Sequence, residues 1–336
     1  FNILNIGRFK LGAMCLGGMK LALTESVKYA NERKQFGKSI SSFGAIKSKL
    51  GEMAIRTWVG EAMTYRTLGM IEEGLAAIKD SKDMDARLKA IEEYAAECSI
   101  IKVALSEYCN YITDEMVQIF GGYGYSADYP AERAYRDTRI NRIFEGTNEI
   151  NRMLIPGRLM KAALSGRLAL LPAAQGLMDE ILSPSMPSFD TDESLLATEM
   201  KLAQNAKKVA LMTLGTAAQK YMMGLGDQQE ILIGVADIIM DGFAMESAIL
   251  RAQKVAASQG EKAAEPFVDM TRVFCNDAIE RIEAHAKNTL AAMSDGDELR
   301  TLLAALRRFT KMTPINTVAA RQRIANAMIE ANKYVY

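Results

Sequence analysis

The sequence predicts an all-α protein made of two successive helical bundles, and three observations carry that expectation. Alanine, leucine, methionine, lysine and glutamate, which cost least in a helix, are abundant along the chain. No segment alternates apolar and polar residues with the period of two that a half-buried strand requires. Pro172, Pro184 and Pro187, with serines between them, interrupt the helical pattern near mid-chain. A chain of 336 residues with 49% hydrophobic content can bury one large or two modest cores, and its length favours two. The expected division is a four-helix bundle over 1–165, a linker over 166–192 and a second helical domain over 193–336.

Taken in order, the first helix runs over 2–32, with Leu11, Met14, Cys15, Leu21, Ala22 and Val27 as its apolar face and Arg8 near its beginning. The turn over 33–38 closes it, with Gly37 as the C′ residue and Arg33 and Lys34 in the last turn. A second helix over 42–73 places Ile46, Leu50, Met53, Ile55, Trp58 and Met63 toward a core. The charged stretch 79–89 either lengthens two helices or adds a solvated loop. A third helix over 91–120 carries Ile100, Val103, Ala104, Tyr111 and Met116, and a fourth over 148–164 completes the bundle. Beyond the linker, helices are expected over 193–224, 228–259, 262–293, 297–310 and 317–333, punctuated by Gly226, Gly260 and Gly296. Helical spacing assigns the Met222-Met223 pair to core filling rather than ligand binding.

Composition removes several classes of function. Lysine plus arginine equal aspartate plus glutamate, 41 against 41, so no charge excess recruits nucleic acid. Cys15, Cys98, Cys109 and Cys275 show no CxxC spacing and read as buried thiols in a reducing compartment. No metal site is visible; His285 is the single histidine, so a His-based triad or zinc cluster would have to rest on it, and it reads as an ordinary, partly exposed helical residue. Neither a signal peptide nor a membrane span is visible, and the start at Phe1 reads as a cut end.

One stretch, 117–152, departs from plain amphipathic helix. An apolar run ends in Gly121-Gly122-Tyr123-Gly124, as a C-cap and a tight turn require, and Pro130 restarts the chain. Asp137, Arg139 and Arg142 then lead to Phe144-Glu145-Gly146-Thr147, where Thr147 reads as an N-cap with Glu149 in the following first turn. Glu145 therefore lies just outside a helix N-terminus, beside an aromatic ring and a glycine. Apolar surroundings disfavour its charged form, whereas the helix terminus and the arginines favour it, a balance suited to proton abstraction. The same spacing also suits a glutamate that caps the helix or pairs with Arg142.

These residues resemble the C-terminal helical domain of the acyl-CoA dehydrogenases. Asn31-Glu32-Arg33-Lys34-Gln35-Phe36-Gly37-Lys38 is similar to the family's ERxxFGK signature, Gln118-Ile119-Phe120-Gly121-Gly122 to its QxxGG turn, and Ile143-Phe144-Glu145-Gly146-Thr147 to its catalytic loop. The resemblance is strong over 1–165; beyond it, only the very-long-chain type, with its appended helical domain, is similar.

The resemblance implies an FAD-dependent enzyme that oxidises acyl-CoA, of long chain by subgroup, to trans-2-enoyl-CoA in fatty-acid β-oxidation. Glu145 would take the α-proton. Arg33, Gln35, Phe36, Gln118, Gly121 and Gly122 would meet FAD across a subunit interface, with Thr147 and Glu149 also on the cofactor side. Asn5, Arg8 and Gly146 would meet the acyl-CoA; the alternative for Arg8 is a solvated arginine at a capped helix start. Some relatives carry the base at the position of Gly7, and its absence there leaves Glu145. Phe43-Gly44 departs from the glutamine-containing pair of relatives.

Further implications are a homodimer or larger assembly, electron transfer to an electron-transferring flavoprotein, and a bacterial cytoplasmic or mitochondrial matrix location. The subgroup links residues 168–189 to membranes, but the stretch has few basic residues, so at most weak peripheral association is expected. The family's N-terminal helical domain and middle β-domain are not in this sequence, so the chain by itself is expected to be inactive. Two alternatives are an acyl-CoA oxidase-like relative and a non-catalytic helical assembly module.

Overall fold

Leu11, Cys15, Ala22 and Val27 recur on one side of a continuous helix, and all four are buried. That helix, α1 (Asn2–Glu32), opens a computed structural model that describes residues 2–78, 84–182 and 194–336. Met14 and Leu21, expected on the same face, are instead 72% and 66% exposed. They stand seven residues apart on an outward stripe of α1, where the apolar pattern outruns what the bundle covers.

After α1 comes a two-residue-per-strand hairpin, β1 (Lys34–Gln35) and β2 (Lys38–Ser39), too short to carry any period in sequence. Gly37 is therefore not a helix C′ residue. It is the second residue of a hairpin turn in which both Phe36 (φ 52°) and Gly37 (φ 81°) are left-handed, the geometry of a type I′ turn. This turn leaves Phe36 91% exposed at the tip.

Helices α2 (Gly44–Ala76), α4 (Ala95–Phe120) and α6 (Asn148–Leu164) complete the first bundle with α1. Tyr29 stacks on Phe120 at one end and Gly12 faces Ile101 nearer the other, so α1 and α4 run parallel. Lys49 pairs with Glu115 while Gly60 faces Leu105, and Asn148 meets Ser106 while Arg158 pairs with Glu92 ahead of α4, so α2 and α6 run the opposite way. Trp58 is buried and stacks on Phe267 at 4.4 Å. The third expected helix is divided at Tyr94: α3 (Met84–Glu93) takes most of the charged stretch, residues 79–83 lie outside the described residues, and α4 begins at Ala95. A further short helix, α5 (Pro130–Arg139), has Pro130 at its first turn, where a missing N–H costs nothing.

The stretch expected as a linker contains a helix, α7 (Leu170–Leu182). Pro172 falls in its first turn and so does not interrupt it, and Leu177 and Ile181 are buried. Pro184 and Pro187 lie outside the described residues. Helices α8 (Ala197–Tyr221), α9 (Gln229–Gln259), α10 (Glu261–Met293) and α11 (Gly296–Thr310) pack together, and α7 lies against α8. The last helix, α12 (Thr317–Ala331), returns to α2. There Arg321 reaches Glu52 of α2 at 2.8 Å and also bonds Asp277 of α10, while Asn31 at the end of α1 donates to the Ile329 carbonyl at 2.9 Å. Met222 and Met223, expected in the core, sit in a 3₁₀ turn after α8 and are 76% and 96% exposed. The helix stops one residue before them, so helical spacing no longer applies. All four cysteines are free and buried. Among the described residues no helix is long and apolar enough to cross a membrane.

Candidate active site

Between the 3₁₀ turn Ile140–Arg142 and α6, the chain adopts two successive left-handed residues, Glu145 (φ 59°) and Gly146 (φ 83°). For glutamate that conformation costs roughly 1–2 kcal/mol, so surrounding groups must hold it. Thr147 then caps α6 through its hydroxyl, which accepts from the Ile150 N–H at 3.4 Å.

The holding groups act on the inner side of the loop. Asn151 Nδ2 donates to the carbonyls of Glu145 (3.3 Å), Gly146 (2.8 Å) and Thr147 (3.1 Å). Arg8 Nε donates to the Glu145 carbonyl at 3.4 Å, and Lys102 Nζ to the Gly146 carbonyl at 2.7 Å. With the three carbonyls turned inward, the Glu145 N–H has no acceptor among the backbone bonds of the described residues. A backbone N–H presented in this way can stabilise negative charge developing on a bound carbonyl oxygen.

The Glu145 carboxylate lies over α1 at Gly7. A Cβ built on Gly7 would come within 2.7 Å of Glu145 Oε2 and 2.9 Å of Cδ, so the missing side chain at Gly7 is what makes room for the acid. The two positions expected to carry the base in different relatives thus open onto one volume. The alternative of an ion pair with Arg142 finds no support: no Arg142–Glu145 pair forms, and Arg142 Nε is buried without a partner. Nor does Glu145 cap α6, because Thr147 does. Arg8, whose alternative reading was a solvated side chain, is buried, and its Nη1 donates to Asn5 Oδ1 at 3.1 Å. The Asn5 amide nitrogen is buried with no partner, a free donor beside the loop.

Lys102 was not legible as a site residue. Its one signal was a lysine inside the run Ile100, Ile101, Val103, Ala104, and the structure buries it completely. Burial pushes its ammonium down to about 8, against the pull of Glu149 and Glu107. It also donates to Asn148 Oδ1 at 2.7 Å. Asn148 and Asn151, both buried in the first turn of α6, carry no signal in sequence that separates them from solvated helix residues.

A second group gathers elsewhere. Arg33, Gln35, Gly121 and Gly122 line a hollow of about 510 Å³ with Tyr29, Ile40, Phe120 and Tyr123. Gly121 (φ 61°) ends α4, its N–H bonded to the Gln118 carbonyl, and the space in front of both glycines is open. The Arg33 guanidinium lies 5.3 Å from the centre of the Tyr123 ring. A planar cation beside exposed glycine backbone and aromatic rings suits a diphosphate-bearing nucleotide. Phe36, Gln118, Thr147 and Glu149 do not line this hollow. The 31-residue α1 is ~46 Å long, so its two ends, near Arg8 and Arg33, put Glu145 and the hollow on the order of 35 Å apart. Of the expected site residues, Asn5, Arg8, Gly146 and Thr147 therefore gather about Glu145, and Arg33, Gln35, Gly121 and Gly122 about the hollow, while Phe36 and Gln118 line neither.

Comparison with known proteins agrees with both halves of the chain. Two family models, each described as the acyl-CoA dehydrogenase C-terminal domain, match residues 2–160 and 205–308. A probable acyl-CoA dehydrogenase of Bacillus subtilis is 46% identical over 99% of this chain and 56% of its own length. The very long-chain specific acyl-CoA dehydrogenase of Rattus norvegicus mitochondria is 28% identical over 92% of this chain and 47% of its own. A crystal structure of an acyl-CoA dehydrogenase complexed with FAD from Bacillus anthracis superposes with a TM-score of 0.95 at 45% identity, covering 100% of this chain and 57% of that one. The chain spans about half the length of the relatives it matches. With its loop, its glycine turn and its appended helices all accounted for by these matches, the chain belongs to the acyl-CoA dehydrogenase family, as a C-terminal portion.

Proposed function

We propose that the chain is the C-terminal part of an FAD-dependent acyl-CoA dehydrogenase that converts an acyl-CoA thioester to its trans-2-enoyl-CoA, with Glu145 as the base. The observation that carries this reading is the placement of the Glu145 carboxylate over Gly7, on a loop whose carbonyls are all tied inward. Glu145 takes the α-proton. Its backbone N–H is free to donate to the thioester oxygen and so stabilise the negative charge that develops there, which acidifies the α-carbon. Asn5 and Arg8, at the start of α1, line the approach to the thioester. FAD, when bound, supplies the acceptor for the β-hydride, so that the proton and the electron pair leave by different routes and the Cα–Cβ double bond forms.

The Arg33 hollow fits the nucleotide portion of FAD by charge and by exposed glycine backbone. Its distance from Glu145 favours a flavin shared between copies, one giving Arg33, Gln35, Gly121 and Gly122 and the other giving the base. Phe36, at the exposed hairpin tip, and Gln118 belong to that shared face. Thr147 and Glu149, at the start of α6, belong on the flavin side of the base loop. A homodimer or larger assembly follows. A long acyl chain and a role in β-oxidation are supported by the similarity to the very long-chain specific enzyme, which extends through the appended helices. The acceptor of the electrons from reduced flavin is an electron-transferring flavoprotein.

The test is an anaerobic flavin spectrum of the full-length protein before and after a long-chain acyl-CoA. Bleaching with appearance of enoyl-CoA is the expected result. A protein that takes up no FAD returns the chain to an assembly role. Peroxide formed in air without an electron carrier makes it an oxidase.

A further inference from the structure

The Glu145 loop is not braced by the first bundle alone. Lys102, which holds the Gly146 carbonyl, also holds Asn148 Oδ1, and Asn148 Nδ2 donates to Glu107 Oε1 at 3.0 Å and to Ser106 Oγ at 3.0 Å. Glu107 accepts a two-pronged pair of bonds from Arg152, Nη1 to Oε1 at 2.6 Å and Nη2 to Oε2 at 2.8 Å. The remaining guanidinium edge, Nε, donates to Asp237 Oδ1 at 2.7 Å. Asp237 belongs to α9, in the C-terminal half of the chain, and its other oxygen faces His285 Nδ1 of α10 at 4.0 Å. An unbroken line of polar contacts therefore runs from α9 through α6 and α4 to the peptide beside Glu145.

We propose that this line makes the C-terminal helical half a brace for the catalytic loop, with Asp237 and Arg152 as positioning residues for the base. The inference rests on the reading of Glu145 as the base. Its physical basis is the fixed fork of arginine. Arg152 commits two prongs to Glu107 and one to Asp237, so the α9 carboxylate sets the plane of the guanidinium and thereby the angle at which Glu107 meets Asn148. The Asn148 amide in turn orients Lys102, the cation that fixes the Gly146 carbonyl. A loop held in the left-handed region by such donors tolerates little slack, because displacement of a reacting group by about 1 Å costs up to ~10²-fold in rate. Burial raises the Asp237 carboxyl and Arg152 opposes that rise, as befits a charge kept inside the interface by its partner.

A second tie across the same interface provides the control. Glu246, also on α9, accepts from Arg66 Nη2 of α2 at 2.7 Å and bonds Lys207, with no polar path to the loop among the described residues. In the FAD-loaded full-length protein, Asp237→Asn is expected to lower kcat per bound flavin by about tenfold, with the Kd for trans-2-enoyl-CoA within about threefold of wild type. Asp237→Glu, which keeps the carboxylate, is expected to recover most of the rate, and Glu246→Gln to stay within about twofold. Equal losses in Asp237→Asn and Glu246→Gln, or an unchanged rate in Asp237→Asn, would overturn the brace. If Asp237→Asn fails to load flavin, Arg152→Lys, which keeps the charge but not the fork, is read by the same criteria. Glu145→Gln run in parallel separates the two readings: a normal rate there sinks the base itself, whereas a lost rate there with an ineffective Asp237→Asn sinks only the brace.

Discussion

At one end of α1 the loop of Glu145 is gripped from beneath by Arg8, Lys102 and Asn151, all buried; at the other end the hollow of Arg33 is open, aromatic and shallow. The first is preorganised within one chain. At the second end Tyr123, which lines the hollow, is exposed, as are the nearby Tyr125 and hairpin-tip Phe36, which do not line it. If Glu145 is the base and the hollow takes a nucleotide, the difference teaches that proton chemistry needs fixed geometry, which one chain can build, whereas nucleotide binding needs an enclosure that one open hollow does not supply.

The comparison breaks most sharply at Glu145. In the full-length protein Glu145→Gln is expected to retain acyl-CoA binding and lose ~10²-fold or more in turnover. Unchanged turnover would leave the braced loop without a catalytic purpose. Next in size is Gly7→Ala. The three atoms nearest to its Cβ would all belong to the flexible end of Glu145, so the melting temperature should stay near wild type while turnover falls about tenfold through displacement of the carboxylate. A large loss of stability with a normal rate per folded molecule would mean that Gly7 serves packing instead.

At the open end, Arg33→Lys is expected to weaken FAD binding about tenfold and leave kcat at saturating FAD unchanged, because a point charge replaces a planar fork. A fall in kcat at saturation would show that the two ends are not separable. The smallest effect is one of pH. The folded-state value of Lys102, about 8, lies below the ordinary lysine value of ~10.4, so between these limits the unfolded chain binds more protons and stability rises with pH. Lys102→Met removes that contribution, and denaturation midpoints measured at pH 7.5 and 10 should rise less in the variant. Parallel profiles would place the lysine ammonium in contact with solvent.

Much of this was legible in the residues. The long helices follow from apolar spacing, and the glycine pair and Thr147 marked their boundaries because caps depend on neighbours in sequence. Pro172 misled, since a proline in the first turn of a helix looks the same in sequence as one that ends it. The Met222-Met223 pair misled because helical spacing says nothing once the helix has stopped.

The sequence by itself determined the helical class, the glycine end of α4 and the Thr147 cap of α6, since each depends on residues a few positions apart, and its resemblance to a family singled out Glu145 as the candidate base. Tertiary structure alone decided that Gly7 clears space for Glu145, that Lys102 and Asn151 hold its loop, and that α9 reaches the same network through Asp237. Those contacts join residues far apart in the chain, and only packing brings their charges into reach.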